Sequence, residues 1–156
     1  MMVNFICKNK EETQELGKLI SKFSFIKEVI TLKGQLGAGK TTFSQGFASG
    51  LGIKGVINSP TFNIVKCYFD STIPLYHIDA YRLEDLHQDL GLEEYIDGDG
   101  VCLVEWAEFI PEVIPEELMK INIEILENEE RLVTIEPYGK KYEELLVKVK
   151  ELWDIR

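Results

Sequence analysis

Apolar residues along this chain change period several times, and the changes mark out its elements. Residues 3–7 (VNFIC) suit a short strand, and from 11 to 23 the spacing turns helical, with Leu16, Leu19, Ile20 and Phe23 on one side. Residues 29–32 (VITL) are mostly β-branched and uninterrupted, the pattern of a strand buried on both faces. Phe43, Phe47 and Leu51 then recur every fourth residue, predicting a helix that Gly50 and Gly52 end. Residues 61–69 and 74–81 predict two strands joined by a turn around Asp70-Ser71, and 84–96 return to a helical pattern. Residues 101–106 (VCLVEW) form another apolar strand that closes on a carboxylate. Residues 121–126 and 132–135 flank the polar ENEE and predict a hairpin, and 140–153 a last amphipathic helix.

Strands alternating with helices place the chain in the α/β class: a mostly parallel sheet flanked by helices, with an antiparallel hairpin added. The order of the strands is not readable. With 156 residues, no internal repeat and no low-complexity linker, a single domain over 1–156 is expected.

Composition narrows the function classes. The formal charge is −10, with acids clustered at 84–99 and 124–130 and lysines scattered. A protein that grips nucleic acid by itself carries a basic stripe, so direct tight binding to RNA or DNA is disfavoured and a basic protein partner is not. Cys7, Cys67 and Cys102 are far apart and odd in number, with no CxxC pair, which predicts reduced thiols. The segment MMVNFICKNKEE lacks the pattern of a signal peptide and no apolar run approaches a membrane span, so a soluble cytoplasmic protein is expected.

The chemistry concentrates in residues 34–42, GQLGAGKTT. Residues 34–41 match the P-loop pattern GxxxxGK[ST] at every fixed position, which chance supplies in about one chain of this length in two hundred. A triphosphate needs several backbone N–H groups turned inward, hence residues that tolerate positive φ and lack a bulky Cβ. The cradle would be formed by Gly37, Ala38, Gly39, Lys40, Thr41 and Thr42, with Lys40 along the β- and γ-phosphates and the Thr41 hydroxyl on Mg²⁺. The bland alternative is a functionless glycine-rich turn; the flanking strand and helix argue against it.

Such a site needs a second acidic group, usually at the end of a neighbouring strand. Glu105, ending VCLVEW, is the favoured Mg²⁺ ligand, with Asp79 of LYHIDAY in a second metal-side or water-positioning role. Either could instead be a solvent-facing strand terminus. Alternation places His77, Asp79 and Tyr81 on one strand face, with His77 and Tyr81 read as packing or hydrogen-bonding residues rather than catalytic ones.

Among P-loop classes, a GTPase lacks support: the only Asn-Lys, Asn9-Lys10, precedes the loop, and Asp97-Gly98-Asp99-Gly100 precedes its strand. A small-molecule kinase clamps the moving phosphoryl group with arginines, and this chain has three, Arg82, Arg131 and Arg156, of which only Arg82 is well placed. ATP binding with slow hydrolysis fits better. The kinase remains the alternative, and a nucleotide-sensing module without turnover a third.

Together, GQLGAGKTT, Ser59-Pro60-Thr61-Phe62, HIDAYRL at 77–83, Gly91-Leu92 and Val104-Glu105-Trp106 resemble the TsaE (YjeE) family of tRNA-modification ATPases, over roughly residues 11–140. The resemblance implies an ATPase required for threonylcarbamoyladenosine formation on the tRNA adenosine beside the anticodon. It implies the TsaB–TsaD pair as partners, with tRNA reached only through them, and no membrane. It makes Thr61 a γ-phosphate sensor, where otherwise Ser-Pro-Thr is equally a plain loop, and moves Trp106 from core residue towards the site edge. It also places Thr13 and Arg131 near the adenine end; the bland alternative for Arg131 is an exposed hairpin arginine. In this reading Lys40, Asp79 and Glu105 act in catalysis, Thr41 and Glu105 hold Mg²⁺, and Thr61, Arg82 and Trp106 respond to the γ-phosphate of ATP.

Overall fold

The computed structural model describes residues 1–60, 63–84 and 90–156. Its elements run β1 (Val3–Cys7), α1 (Lys10–Ser21), β2 (Val29–Lys33), α2 (Lys40–Leu51), β3 (Val65–Tyr68), β4 (Leu75–Asp79), α3 (Glu93–Ile96), β5 (Val101–Glu105), β6 (Leu118–Ile125), β7 (Arg131–Tyr138) and α4 (Lys140–Asp154). Single 3₁₀ turns follow β4 at Tyr81–Leu83 and β5 at Ala107–Phe109.

Among the described residues seven strands form one mixed sheet in the order β1-β7-β6-β2-β5-β4-β3. The middle four, β6-β2-β5-β4, are mutually parallel, while β7, β1 and β3 pair antiparallel at the flanks. The carboxyl ends of β2, β4, β5 and β6 therefore share one edge, where ligand crevices form in open α/β sheets. The register brings Leu32 beside Glu105 and Glu105 beside Asp79 on that edge.

The period-2 alternation divides the buried side chains between two layers. Ile30, Leu75, Leu103, Ile121 and Val133 face the helical layer, packing with Leu16, Phe43, Phe47 and Leu146. Tyr76, Ile78, Cys102 and Val104 face the other way, under Leu83, Leu92, Ile96 and Ile110. Helices α1 and α2 meet closely because α2 offers glycine at the crossing: a Cβ on Gly46 would overlap the backbone of Gln14. No helix among the described residues is long and apolar enough to cross a membrane.

Several expected boundaries move, each for a local reason. The strand expected at 61–69 is only β3, because the N–H groups of Asn63 and Ile64 turn back to the Pro60 carbonyl (3.0 and 2.7 Å) and Ile64 takes a φ of 66°. The strand expected at 74–81 ends at Asp79, where the chain coils into a 3₁₀ turn. The helix expected over 84–96 is interrupted at Gly91, with a φ of 72°, and α3 follows; residues 85–89 of that expectation lie outside the described residues. β5 stops at Glu105 because Trp106 adopts a left-handed φ of 59°. The hairpin is longer than expected: β6 begins at Leu118, paired with Tyr138, and the polar Lys120, Asn122 and Glu124 alternate with buried Met119, Ile121 and Ile123. Helix α2 runs through Gly50, and Gly52 (φ 97°) alone caps it.

Candidate functional site

Two helices of 12 residues lie side by side, and their amino ends are finished differently. In α1 the Asn9 side chain accepts a hydrogen bond from the Glu12 N–H (2.9 Å), and Glu11 and Glu12 set negative charge in the first turn. Helix α2 has neither: Gly39 stands at its cap with no side-chain hydrogen bond, and no acidic residue occupies the first turn. Its first N–H groups lack intrahelical acceptors, and the positive end of its dipole is uncompensated. That is the electrostatic form of an anion site.

The preceding loop is shaped to the same end. Gly37 and Gly39 have φ values of 81° and 115°, open to glycine at little steric cost. At the base, a Cβ on Gly34 would lie 2.7 Å from the Ile123 carbonyl, so the loop presses onto β6. The Ala38 N–H closes a turn to the Gln35 carbonyl (2.9 Å). From outside, Arg131 at the start of β7 donates from Nε to the Ala38 carbonyl (2.8 Å) and from Nη2 to that of Gly37 (3.5 Å). It braces the loop by its carbonyls; the family resemblance implies Arg131 at the adenine end, and here its donors engage the loop.

Across from α2, the carboxyl ends of β4 and β5 supply carboxylates. Glu105 is buried, with Lys40 Nζ 3.5 Å from Oε1 and His77 Nε2 2.9 Å from Oε2. Burial pushes its pKa up, but the hydrogen bond and charge interaction with His77 and the ammonium of Lys40 outweigh it, leaving the carboxyl below its usual range. Asp79 accepts from the Tyr81 N–H (3.0 Å) and from Ser59 Oγ (3.4 Å). Trp106 stacks on Phe109 (centroids 5.3 Å, planes 10° apart), lies 5.1 Å from the Tyr81 ring, and has Lys40 Nζ 5.7 Å from its own. These groups border a cleft of about 720 Å³, which also takes in Thr41 and Thr42.

Of the residues singled out from sequence, Gly37, Gly39, Lys40, Thr41, Thr42, Asp79, Glu105 and Trp106 meet at this cleft, with Ala38 buried beneath it. Thr13, 1% exposed, sits below the loop, its hydroxyl turned to the Asn9 carbonyl (3.4 Å) and its methyl under Gly39. Arg82 is exposed in the 3₁₀ turn and does not line the cleft. Thr61 falls outside the described residues. Two residues assigned no site role from sequence line the cleft: Ser59 of the Ser-Pro-Thr block, which reaches Asp79, and Lys10, brought in by the packing of α1 on α2. Only that packing reveals Lys10; nothing in its sequence neighbourhood marks it.

The donor set fits a hard cation shared with a phosphorylated ligand. The Thr41 hydroxyl and the Glu105 carboxylate are oxygen donors at the cleft, whereas the described residues contain no cluster of three His, Cys, Asp or Glu side chains able to cage a metal. Mg²⁺ typically uses one or two protein oxygens and takes the rest from phosphate and water.

Comparison with known proteins gives a consistent result. Residues 7–133 match the family described as threonylcarbamoyl adenosine biosynthesis protein TsaE. The chain is 53% identical over 137 residues to the tRNA threonylcarbamoyladenosine biosynthesis protein TsaE of Bacillus subtilis, covering 88% of this chain and 87% of that protein. It is 36% identical to the protein of the same name from Treponema pallidum, covering 83% of this chain and 97% of the relative. A crystal structure of YdiB from Bacillus subtilis superposes with a TM-score of 0.84 at 42% identity, covering 97% of this chain and 95% of that one.

Proposed function

The chain belongs to the TsaE family, whose members take part in threonylcarbamoyladenosine biosynthesis on tRNA, and from that premise we propose that it is the Mg²⁺-dependent ATPase subunit of this machinery, built on a P-loop NTPase fold. The observation that carries the proposal is the uncapped, uncompensated amino end of α2 behind a glycine loop, facing a partnered carboxylate across the cleft.

Lys40 rests on Glu105, 3.5 Å from Oε1. On ATP binding the ammonium moves to the β- and γ-phosphate oxygens, while N–H groups of residues 37–42 hold the remaining anionic oxygens. Thr41 and Glu105, the latter hydrogen-bonded to His77, would hold Mg²⁺, which would supply charge neutralisation at the phosphates. Asp79, fixed by the Tyr81 N–H and by Ser59, accepts a hydrogen bond from the attacking water and orients it. Thr61 senses the γ-phosphate, and Trp106 walls the cleft.

The described residues lining the cleft include Lys10 and Lys40 but no arginine. An arginine finger is worth about a thousandfold or more in phosphoryl transfer, so the isolated protein turns over slowly and a partner accelerates it. The TsaB–TsaD pair is that partner, and the net charge of −10 suits a subunit that reaches tRNA only through it. Titration of ATP into wild-type and Lys40→Ala protein tests the cradle. The variant should lose about 100-fold in affinity, the worth of charge-assisted contacts to phosphate. Equal affinities would reject the nucleotide assignment.

A further inference from the structure

The least economical side chain in the sheet is His77. It lies mid-strand in β4, 1% exposed, on the face that carries Leu75 into the helical core. Its neighbours in register are Lys66 on β3 and Leu103 on β5. Nε2 meets Glu105 Oε2 at 2.9 Å, while Nδ1 has no hydrogen-bond partner among the described residues. An imidazole buried on a single hydrogen bond is a poorer core residue than leucine, because an unsatisfied polar atom opposes folding. Packing therefore does not account for it, and its one directed contact does.

That contact has a defined consequence. Glu105 ends its strand beside a residue in left-handed conformation, so the backbone does little to fix the carboxylate plane. Lys40, its other partner, is the group that ligand binding draws away. Of the two partners only His77 stays, and by engaging Oε2 it keeps Oε1 turned towards Lys40 at the end of the loop. We propose that His77 is a positioning residue, a hydrogen-bond donor that sets the orientation of Glu105 for divalent cation binding. The inference rests on the proposed function and deepens it; outer-sphere partners of metal ligands commonly change metal affinity tenfold or more when removed.

The test is calorimetric titration of a non-hydrolysable ATP analogue at stepped Mg²⁺ concentrations, and again in EDTA. A glutamine amide nitrogen reaches about as far from the backbone as Nε2, and an asparagine nitrogen only as far as Nδ1. His77→Leu and His77→Asn should raise the Mg²⁺ concentration giving half-maximal enhancement of binding by about tenfold, with affinity in EDTA unchanged. His77→Gln should restore most of the loss. Should His77→Leu not fold, the asparagine–glutamine pair decides alone, since both keep a polar amide in the strand. Wild-type Mg²⁺ dependence in His77→Leu or His77→Asn, or a glutamine variant as impaired as asparagine, would overturn the role of His77 and leave the ATPase reading standing. A wild-type protein whose binding ignores Mg²⁺ would overturn both.

Discussion

Two buried glutamates sit at opposite ends of the central strands and differ in almost everything except burial. Glu105, at the carboxyl end of β5, has His77 and Lys40 as partners and a pKa below the usual carboxylate range. Glu28, just before the amino end of β2, is 0% exposed; Oε1 accepts weakly from the Phe25 N–H (3.4 Å) and Oε2 has no partner among the described residues. Burial pushes its pKa up to about 8. Depth alone therefore says little about the state of a carboxyl group; partners decide it. Partners at one end of the sheet favour the charged carboxylate, and burial at the other favours the protonated carboxyl.

The largest test of this contrast is the pH dependence of stability. The folded pKa of Glu28 is raised, so between pH 4.5 and 8 the unfolded chain gives up a proton that the folded chain keeps, and stability falls as pH rises. By pH 7 the group removes about 3 kcal/mol relative to its contribution at pH 4.5. Glu28→Gln should gain that amount on wild type over the same range in urea unfolding, with ATP affinity unchanged. A gap independent of pH would place a charged, solvated carboxylate there. Glu105 behaves oppositely: its folded pKa is lowered, so its contribution is complete above the usual carboxylate range and fades only as pH falls through the folded value. Wild type should thus lose stability relative to Glu105→Gln as pH falls below the usual carboxylate range.

A smaller effect separates the two ends by their hydrogen bonds. The Tyr142 hydroxyl accepts from the buried Val29 N–H at 2.8 Å, at the Glu28 end. Tyr142→Phe orphans that donor and should lower stability by about 1–2 kcal/mol without touching nucleotide binding. Arg131→Ala at the other end should do the reverse: about 1 kcal/mol or less in stability, since the arginine is partly exposed, but a few-fold loss of ATP affinity as the loop loses its brace. A loss of nucleotide affinity in Tyr142→Phe would show that the ends are coupled.

The sequence carried the contrast unevenly. The glycine loop was legible because its pattern is local: three glycines, a lysine and a threonine at fixed spacing mark a strand-to-helix turn, although β6 and Arg131 help to hold its shape. Glu105 was legible as the charged end of an apolar strand. The sheet order was not, because nothing in 29–32 or 121–126 states that β6 and β5 flank β2. The brace by Arg131 joins residues more than ninety positions apart, and Lys10 reaches the cleft only through the α1–α2 crossing. Trp106 and Ile64 ended their strands with positive φ, a choice that β-branched or aromatic residues rarely make, so propensity extended both strands too far. The residues 84–96 read as one helix because their periodicity is genuine on either side of Gly91, where the backbone turns left-handed.

In the proposed function the carboxyl-end cleft would hydrolyse ATP, with Thr41 and Glu105 as the residues that would hold Mg²⁺. Phosphate release from ATP and Mg²⁺ tests it most directly, measured for the protein alone, with the TsaB–TsaD pair, and for Glu105→Ala in both settings. Slow release that rises severalfold or more with the pair and collapses in Glu105→Ala is the predicted result. Release that is absent in both settings while ATP still binds, or that survives Glu105→Ala unchanged, would contradict it.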